Sequence, residues 1–208
     1  MAVRTRREIE NEILRLGNLP LDLEEANLSG LDLAQLRLQR VNLRRADLRE
    51  VDLRESNLEG ATLDEANLQQ ADLRKARLRK ASVRGALLQK AQLWEVDLHR
   101  SDLEGAKLPL ADLRLADLSE ANLRSADLRR ANLRKANLQG ANLRRADLRE
   151  ADLRGADLRW ALLQASNLRG ACYDRETLWN PDFDPTVSGA SAYESFSRGR
   201  VSKRQRRE

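Results

Sequence analysis

Ala141-Asn142-Leu143-Arg144-Arg145 is followed directly by Ala146-Asp147-Leu148-Arg149-Glu150, and the same five-residue phrase runs without insertion or deletion from Leu21 to Gly170. That stretch contains thirty units. The third residue is Leu in twenty-nine of them, with Val83 the exception; the first is Ala in twenty-one, and the second is Asp or Asn in twenty-two. Ala, Leu, Arg and Glu are good helix formers, yet the period rejects a helix. At about 100° per residue, five residues turn roughly 500°, so the leucines drift around the axis and never form one apolar stripe. A long straight strand also fails, because an odd period puts successive leucines on opposite faces. The chain must turn once per unit. Within each unit a short extended segment points the first and third residues inward and the second outward. The fourth and fifth residues make a solvent-facing corner. A unit this short cannot bury its own apolar face, so copies must stack as a solenoid.

Thirty A[D/N]LXX units in register resemble the pentapeptide-repeat family over about three quarters of the chain. The run from Gly170 through Cys172, Tyr173, Trp179 and Phe183 to Pro185 is similar to a tail common in bacterial members. The resemblance implies an all-β fold: a right-handed quadrilateral parallel β-helix with four pentapeptides per coil. Thirty units then give seven and a half coils and, at roughly 4.8 Å between strands, a rod about 36 Å long.

The expected organisation is an N-terminal helical cap over 1–20, the β-helix over 21–170, an irregular C-terminal cap over 171–185 and a basic tail without fixed structure over 186–208. Thr5-Arg6-Arg7-Glu8 has the capping-box pattern. Ile9, Ile13 and Leu16 follow at helical spacing, and Gly17 and Pro20 supply the stop. Such a helix would cover the first coil, where Leu21, Leu31, Leu36, Val41 and Val51 replace the usual Ala. A membrane-surface helix is the second reading, disfavoured by the shortness of the stripe. At the other end Trp160 and Leu162 form a second cluster, read as structural, and Tyr173, Leu178, Trp179 and Phe183 can fold back over the last coil. A homodimer through that end is the competing use; the resemblance implies it, since some family members dimerise there.

Chemistry is sparse. His99 is the only histidine and Cys172 the only cysteine, which excludes an intrachain disulfide and a multi-histidine metal site. There is no G-x-G-x-x-G, Walker or C-x-x-C motif. The carboxylates recur as columns and not as one concave constellation. No enzyme activity, cofactor, metal or small-molecule substrate is expected. No run reaches the ~18 apolar residues of a membrane span, so a cytoplasmic protein without a membrane partner is the default.

Function is sought in the interruptions. With twenty residues per coil, Leu87, Pro109 and Leu110 share one face, and Trp94 and Leu115 lie on the next face around the same corner. These five form a candidate apolar patch for an unknown protein partner. The column Arg54, Arg74, Trp94, Arg114, Arg134 and Arg154 is accompanied by seven acidic residues on its face, which favours mutual neutralisation over a nucleic-acid stripe. In the tail, Arg198, Arg200, Lys203, Arg204, Arg206 and Arg207 could bind an anionic partner, and nucleic acid is expected only there. Some pentapeptide-repeat proteins resemble duplex DNA in width and charge, bind DNA gyrase and protect it from quinolones. Duplex DNA carries about one negative charge per 1.7 Å, whereas residues 21–170 hold 27 basic and 24 acidic side chains. That balance argues against DNA mimicry.

Overall fold

The computed structural model describes residues 5–17 and 19–192. Parallel bridges join each second-position residue to the one twenty positions later, from Asp22↔Asn42 to Asp152↔Cys172 without a slip. Four units therefore make one coil. The second-position residues define four faces: face 1 carries Asp22, Asn42 and every twentieth residue to Leu162; face 2 runs from Asn27 to Asn167; face 3 runs from Asp32 to Cys172; face 4 runs from Arg37 to Asp157. The sheet is made of single-residue bridges. Among the described residues only β1 (Cys172–Tyr173) and β2 (Ser191–Ala192) are continuous strands. The reason is the period itself, since corners consume two residues in every five.

The backbone of one unit accounts for all of its donors. Ala46 N–H closes the preceding corner on Leu43 O (3.0 Å). Asp47 N–H donates back to Ala26 O (2.9 Å), Leu48 N–H forward to Asn67 O (2.7 Å) and Glu50 N–H forward to Gln69 O (3.0 Å). Arg49 N–H remains, and the Asp47 side chain accepts it through Oδ1 (3.3 Å). The same two-residue bond recurs from Arg54 to Asp52, Glu59 to Asn57 and Arg144 to Asn142. Buried or half-buried N–H groups must be paired, and only a short side-chain acceptor folds back over two residues. This is the physical basis of the Asp/Asn preference. Pro109, the one proline inside the repeat, sits two residues after Lys107, which offers no such acceptor. It replaces a donor that would have lacked a partner.

Every fifth residue is left-handed, with φ between +55° and +72°; twenty-three of the thirty are not glycine. That conformation crowds Cβ. It is imposed at each corner because it turns the fifth N–H along the rod, onto the fourth-position carbonyl of the next coil.

The interior is a continuous column of first- and third-position side chains. All of the unit leucines from Leu23 to Leu158 are essentially fully buried. Ser56 and Ser101, buried at first positions, donate their hydroxyls to Leu53 O (2.7 Å) and Leu98 O (2.6 Å). α1 (Arg6–Leu16) lies at the N-terminal end with both halves of the Thr5/Glu8 capping box formed. Ile9 is fully buried in the core, and Ile13 and Leu16 pack against it. Arg6 ties the helix to the first coil through Asp32 Oδ1 (2.8 Å) and Ala34 O (3.2 Å).

At the C-terminal end the register slips by one, to Asp157↔Leu178. Asp174 Oδ1 accepts from Gly155 N–H (2.9 Å) and Thr177 Oγ1 donates to Leu153 O (2.9 Å), closing the insertion. Tyr173 meets Trp179 edge-on at 5.7 Å, and Trp179 stacks on Phe183 at 5.2 Å. The cap extends beyond the expected boundary at 185. Gly170 N–H donates to Gly189 O (2.9 Å), and β2 pairs in parallel with β1. Gly189 is required here: it is left-handed (φ +84°), and a Cβ would stand 3.2 Å from Arg169 Cα. The expected tail is therefore shortened from its N-terminal side by residues 186–192. Its basic residues lie outside the described residues.

The left-handed corners give a direct test. Glu50→Val, which places a branched side chain at φ +56°, is expected to lose about 1–2 kcal/mol of stability. Glu50→Gly is expected to remain within about 1 kcal/mol of the parent, relief of strain opposing the greater freedom of the unfolded chain. Urea unfolding checks both, and equal midpoints for the two variants would contradict the corner argument.

Candidate functional site

The sequence-predicted apolar residues fall into two groups on adjacent faces. Pro109 and Leu110 occupy the corner between faces 2 and 3, with Leu87 on face 2 one coil earlier. Trp94 and Leu115 occupy the following corner, between faces 3 and 4, so the two groups lie at consecutive corners. The Asp112–Arg114 ion pair (2.6 Å) stands between Leu110 and Leu115 along the chain. Leu110 and Leu115 are 45% and 46% exposed, whereas Leu87, Trp94 and Pro109 are half-buried. Lys75 Nζ lies 5.2 Å above the Trp94 ring. A shallow depression of about 320 Å³ beside Pro109 and Leu110 is lined by Arg129, Arg130, Arg149 and Glu150. Gln89, in the same column as Pro109, has a buried Oε1 without a hydrogen-bond partner among the described residues.

Trp160 departs from the sequence reading. The sequence groups it with the cap aromatics in a structural role, but it is 67% exposed. Its position explains this: it is the left-handed fifth residue of its unit, so its side chain leaves from a corner. Asn180 holds the backbone there, accepting from Trp160 N–H and donating to Ala161 O (2.9 Å). Arg159 lies 5.4 Å from the indole centroid. Leu162, by contrast, is half-buried.

Charge is organised by the second residue of each unit. Where Asp precedes Arg by two, the guanidinium folds back as a fork. Arg49–Asp47, Arg54–Asp52, Arg74–Asp72, Arg114–Asp112, Arg129–Asp127, Arg149–Asp147, Arg154–Asp152 and Arg159–Asp157 all close at 2.5–2.8 Å. The Arg hydrogen bonds hold the Asp47, Asp52, Asp127, Asp147 and Asp157 carboxyls below the usual carboxylate range. In the face-3 column the forks neutralise Arg54, Arg74, Arg114 and Arg154, whereas Arg134 follows Asn132 and has no fork. His99 Nδ1 sits 2.8 Å from Ser119 Oγ. Burial, reinforced by the Asp152 charge, pushes the Cys172 thiol up, away from the reactive thiolate. Among the described residues no group of His, Cys, Asp and Glu could hold a metal ion, and no helix is long and apolar enough to cross a membrane.

These features define a class: a four-sided parallel β-solenoid whose outer surface is columns of polar side chains. A model of the pentapeptide repeats matches in eight copies between residues 22 and 172. The chain belongs to the pentapeptide-repeat family, whose members are right-handed quadrilateral β-helices. A trypsin-treated variant of QnrB1, a plasmid-mediated fluoroquinolone resistance protein, shares the fold with a TM-score of 0.70 at 17% identity, covering 84% of this chain and 90% of that one. HetL of Nostoc sp. strain PCC 7120, a pentapeptide repeat protein involved in heterocyst differentiation regulation, is 37% identical (72% of this chain, 79% of that chain, TM-score 0.29). Rfr23 of Cyanothece 51142 is 35% identical with a TM-score of 0.43; the match covers 55% of this chain and 64% of that one. No curated protein matches the chain significantly.

The depressed carboxyls set the acid response. Their folded pKa values lie below the unfolded value near 3.9, so their stabilisation is complete above that value and is lost as pH falls through the folded values. The melting temperature is expected to hold from pH 8 to about pH 5 and to fall below about pH 4. Combining Asp47→Asn, Asp127→Asn and Asp147→Asn keeps the side-chain acceptor for the backbone and should flatten that acid limb. An unchanged limb in thermal melts from pH 2.5 to 7 would show that the forks do not set it.

Proposed function

We propose that the protein is a non-enzymatic scaffold for protein–protein interaction, acting in the cytoplasm. One observation carries the reading: Leu110 and Leu115 project half-exposed from consecutive corners of the rod, in columns otherwise made of polar residues and glycine. Solvent-facing apolar side chains on rigid backbone are the raw material of an interface core. Trp94 and Pro109 enlarge the two spots, and the arginines beside Leu110 supply a polar rim. A partner reaching both spots would have to bridge the Asp112–Arg114 pair on face 3. The DNA-mimic reading is disfavoured, because the 27 basic and 24 acidic side chains of residues 21–170 lack the excess of negative charge it requires.

The test is capture from the native host by wild type and by a Trp94→Ser, Leu110→Glu, Leu115→Glu variant with the same melting behaviour. Specific partners of the wild type should be depleted at least about tenfold by the variant, as loss of interface anchors predicts. Retention of every partner would remove these residues from the interface.

A further inference from the structure

Face 1 changes character along the rod. Its units 21–25, 61–65 and 101–105 contain seven acidic residues and no basic ones, interleaved with Arg44, Arg45 and Arg84 in units 41–45 and 81–85. Those arginines are engaged across coils. Arg45 reaches Glu65 at 2.9 Å, Arg84 reaches Asp102 at 2.9 Å and Glu104 at 3.1 Å, and Arg44 lies 3.9–4.0 Å from Glu24 and Glu65. Beyond residue 105 the acids stop. Units 121–125, 141–145 and 161–165 contain Arg124, Arg144 and Arg145 and no acidic residue.

The local cause is a one-atom difference. Arg124 and Arg144 follow Asn122 and Asn142, which accept the corner N–H as Asp would but offer no charge to fold onto. Among the described residues Arg124 and Arg145 have no carboxylate within ion-pair distance, and Arg144 Nε meets only the neutral Gln164 Oε1 (3.1 Å). These three cations stand at one edge of face 1. Trp160 stands at its other edge, one corner earlier and one coil on, exposed and on backbone clamped by Asn180. At about 3.3 Å per extended residue the two edges are roughly 10–13 Å apart. Asn122, Asn142 and Leu162 lie between them. The acids that flank this end are already paired: Asp102, which accepts from Asn122 Nδ2 (2.8 Å), and Glu104 with Arg84, Asp127 with Arg129, Asp147 with Arg149, Glu120 with Arg100 and Asp157 with Arg159.

We propose that this end of face 1 binds single-stranded nucleic acid, with Arg124, Arg144 and Arg145 on the phosphates and the Trp160 indole as a stacking platform for a base. A tethered aromatic beside an unneutralised cationic edge is the arrangement that recognises a strand with exposed bases. A duplex would use the arginines but leave the indole without a base. An acidic peptide is less well served, because the backbone N–H groups of face 1 are committed to the ladder and offer no edge for strand addition. A second copy fits poorly: antiparallel pairing that sets Glu24 and Glu25 against Arg144 and Arg145 also sets Arg44 and Arg45 against Arg124.

The test uses the full chain and a fluorescein-labelled twenty-nucleotide oligothymidylate, read by anisotropy over a salt series. Wild type should bind with a log–log salt slope of about 2, as three phosphate contacts on a single strand predict. Arg124→Gln, Arg144→Gln, Arg145→Gln together should abolish most of that slope. Trp160→Ala should weaken binding about tenfold or more with the slope retained, and Trp160→Phe should recover much of the loss. A variant with the six basic residues of 198–207 changed to Gln separates the tail from the face and should bind within about threefold of wild type. The proposal is overturned by absence of binding at low salt, by loss of binding in the tail variant alone, or by equal affinity for a twenty-base-pair duplex. It is also overturned if polyglutamate displaces the oligonucleotide at equal charge concentration. It concerns a different face from the apolar corners, so the Leu110/Leu115 variant should bind the oligonucleotide normally whatever becomes of its protein partners.

Discussion

The rod depends on the axial hydrogen bonds of its corners. Each fifth residue is held in a conformation most side chains avoid, and the return is a peptide N–H aligned with the rod and paired to the coil beyond. Together with the two ladder bonds of the extended segment, this locks every unit to its counterparts twenty residues away. The leucine column alone would tolerate slippage, since nearly all its members are identical. The corner bonds do not, because an insertion of one residue would put a fourth-position N–H where a fifth is needed. Among the described residues the only insertion occurs after Tyr173, where Asp174 and Thr177 supply side-chain bonds for the misplaced backbone and the solenoid is ending.

Much of this was legible in the sequence. A period of five excludes a helix and a flat strand on geometry alone, and the Thr5/Glu8 box with Ile9, Ile13 and Leu16 points to a helix within 1–20, where α1 lies. Two things were not legible. The role of β2 was hidden because Ser191 and Ala192 belong to no repeat unit, and their pairing with Cys172 and Tyr173 depends on the path of an irregular loop. The faces of the apolar residues follow from counting in fives, but their exposure does not: Leu110 and Leu115 stand out, whereas Leu87, Trp94 and Pro109 are half-buried against neighbouring columns.

The same distinction separates the aromatics at the C-terminal end. Tyr173, Trp179 and Phe183 follow the end of regular coiling and pack over the last leucines. Trp160 belongs to a regular unit, and a regular fifth position faces solvent whatever residue occupies it. Counting aromatics near the terminus groups all four together; counting in fives would have set Trp160 apart. The arginines divide by a similar local rule, according to whether the residue two before them is Asp or Asn.

That rule separates two kinds of information carried by one position. To the backbone, Asp and Asn are the same residue: each presents one oxygen that completes the corner. To the surroundings they are opposites, one silencing a nearby guanidinium and the other leaving it available. Exchanging one for the other rewrites the surface while leaving the coil's backbone donors paired as before. A solenoid built this way can vary its outer charge, unit by unit, without renegotiating how it folds.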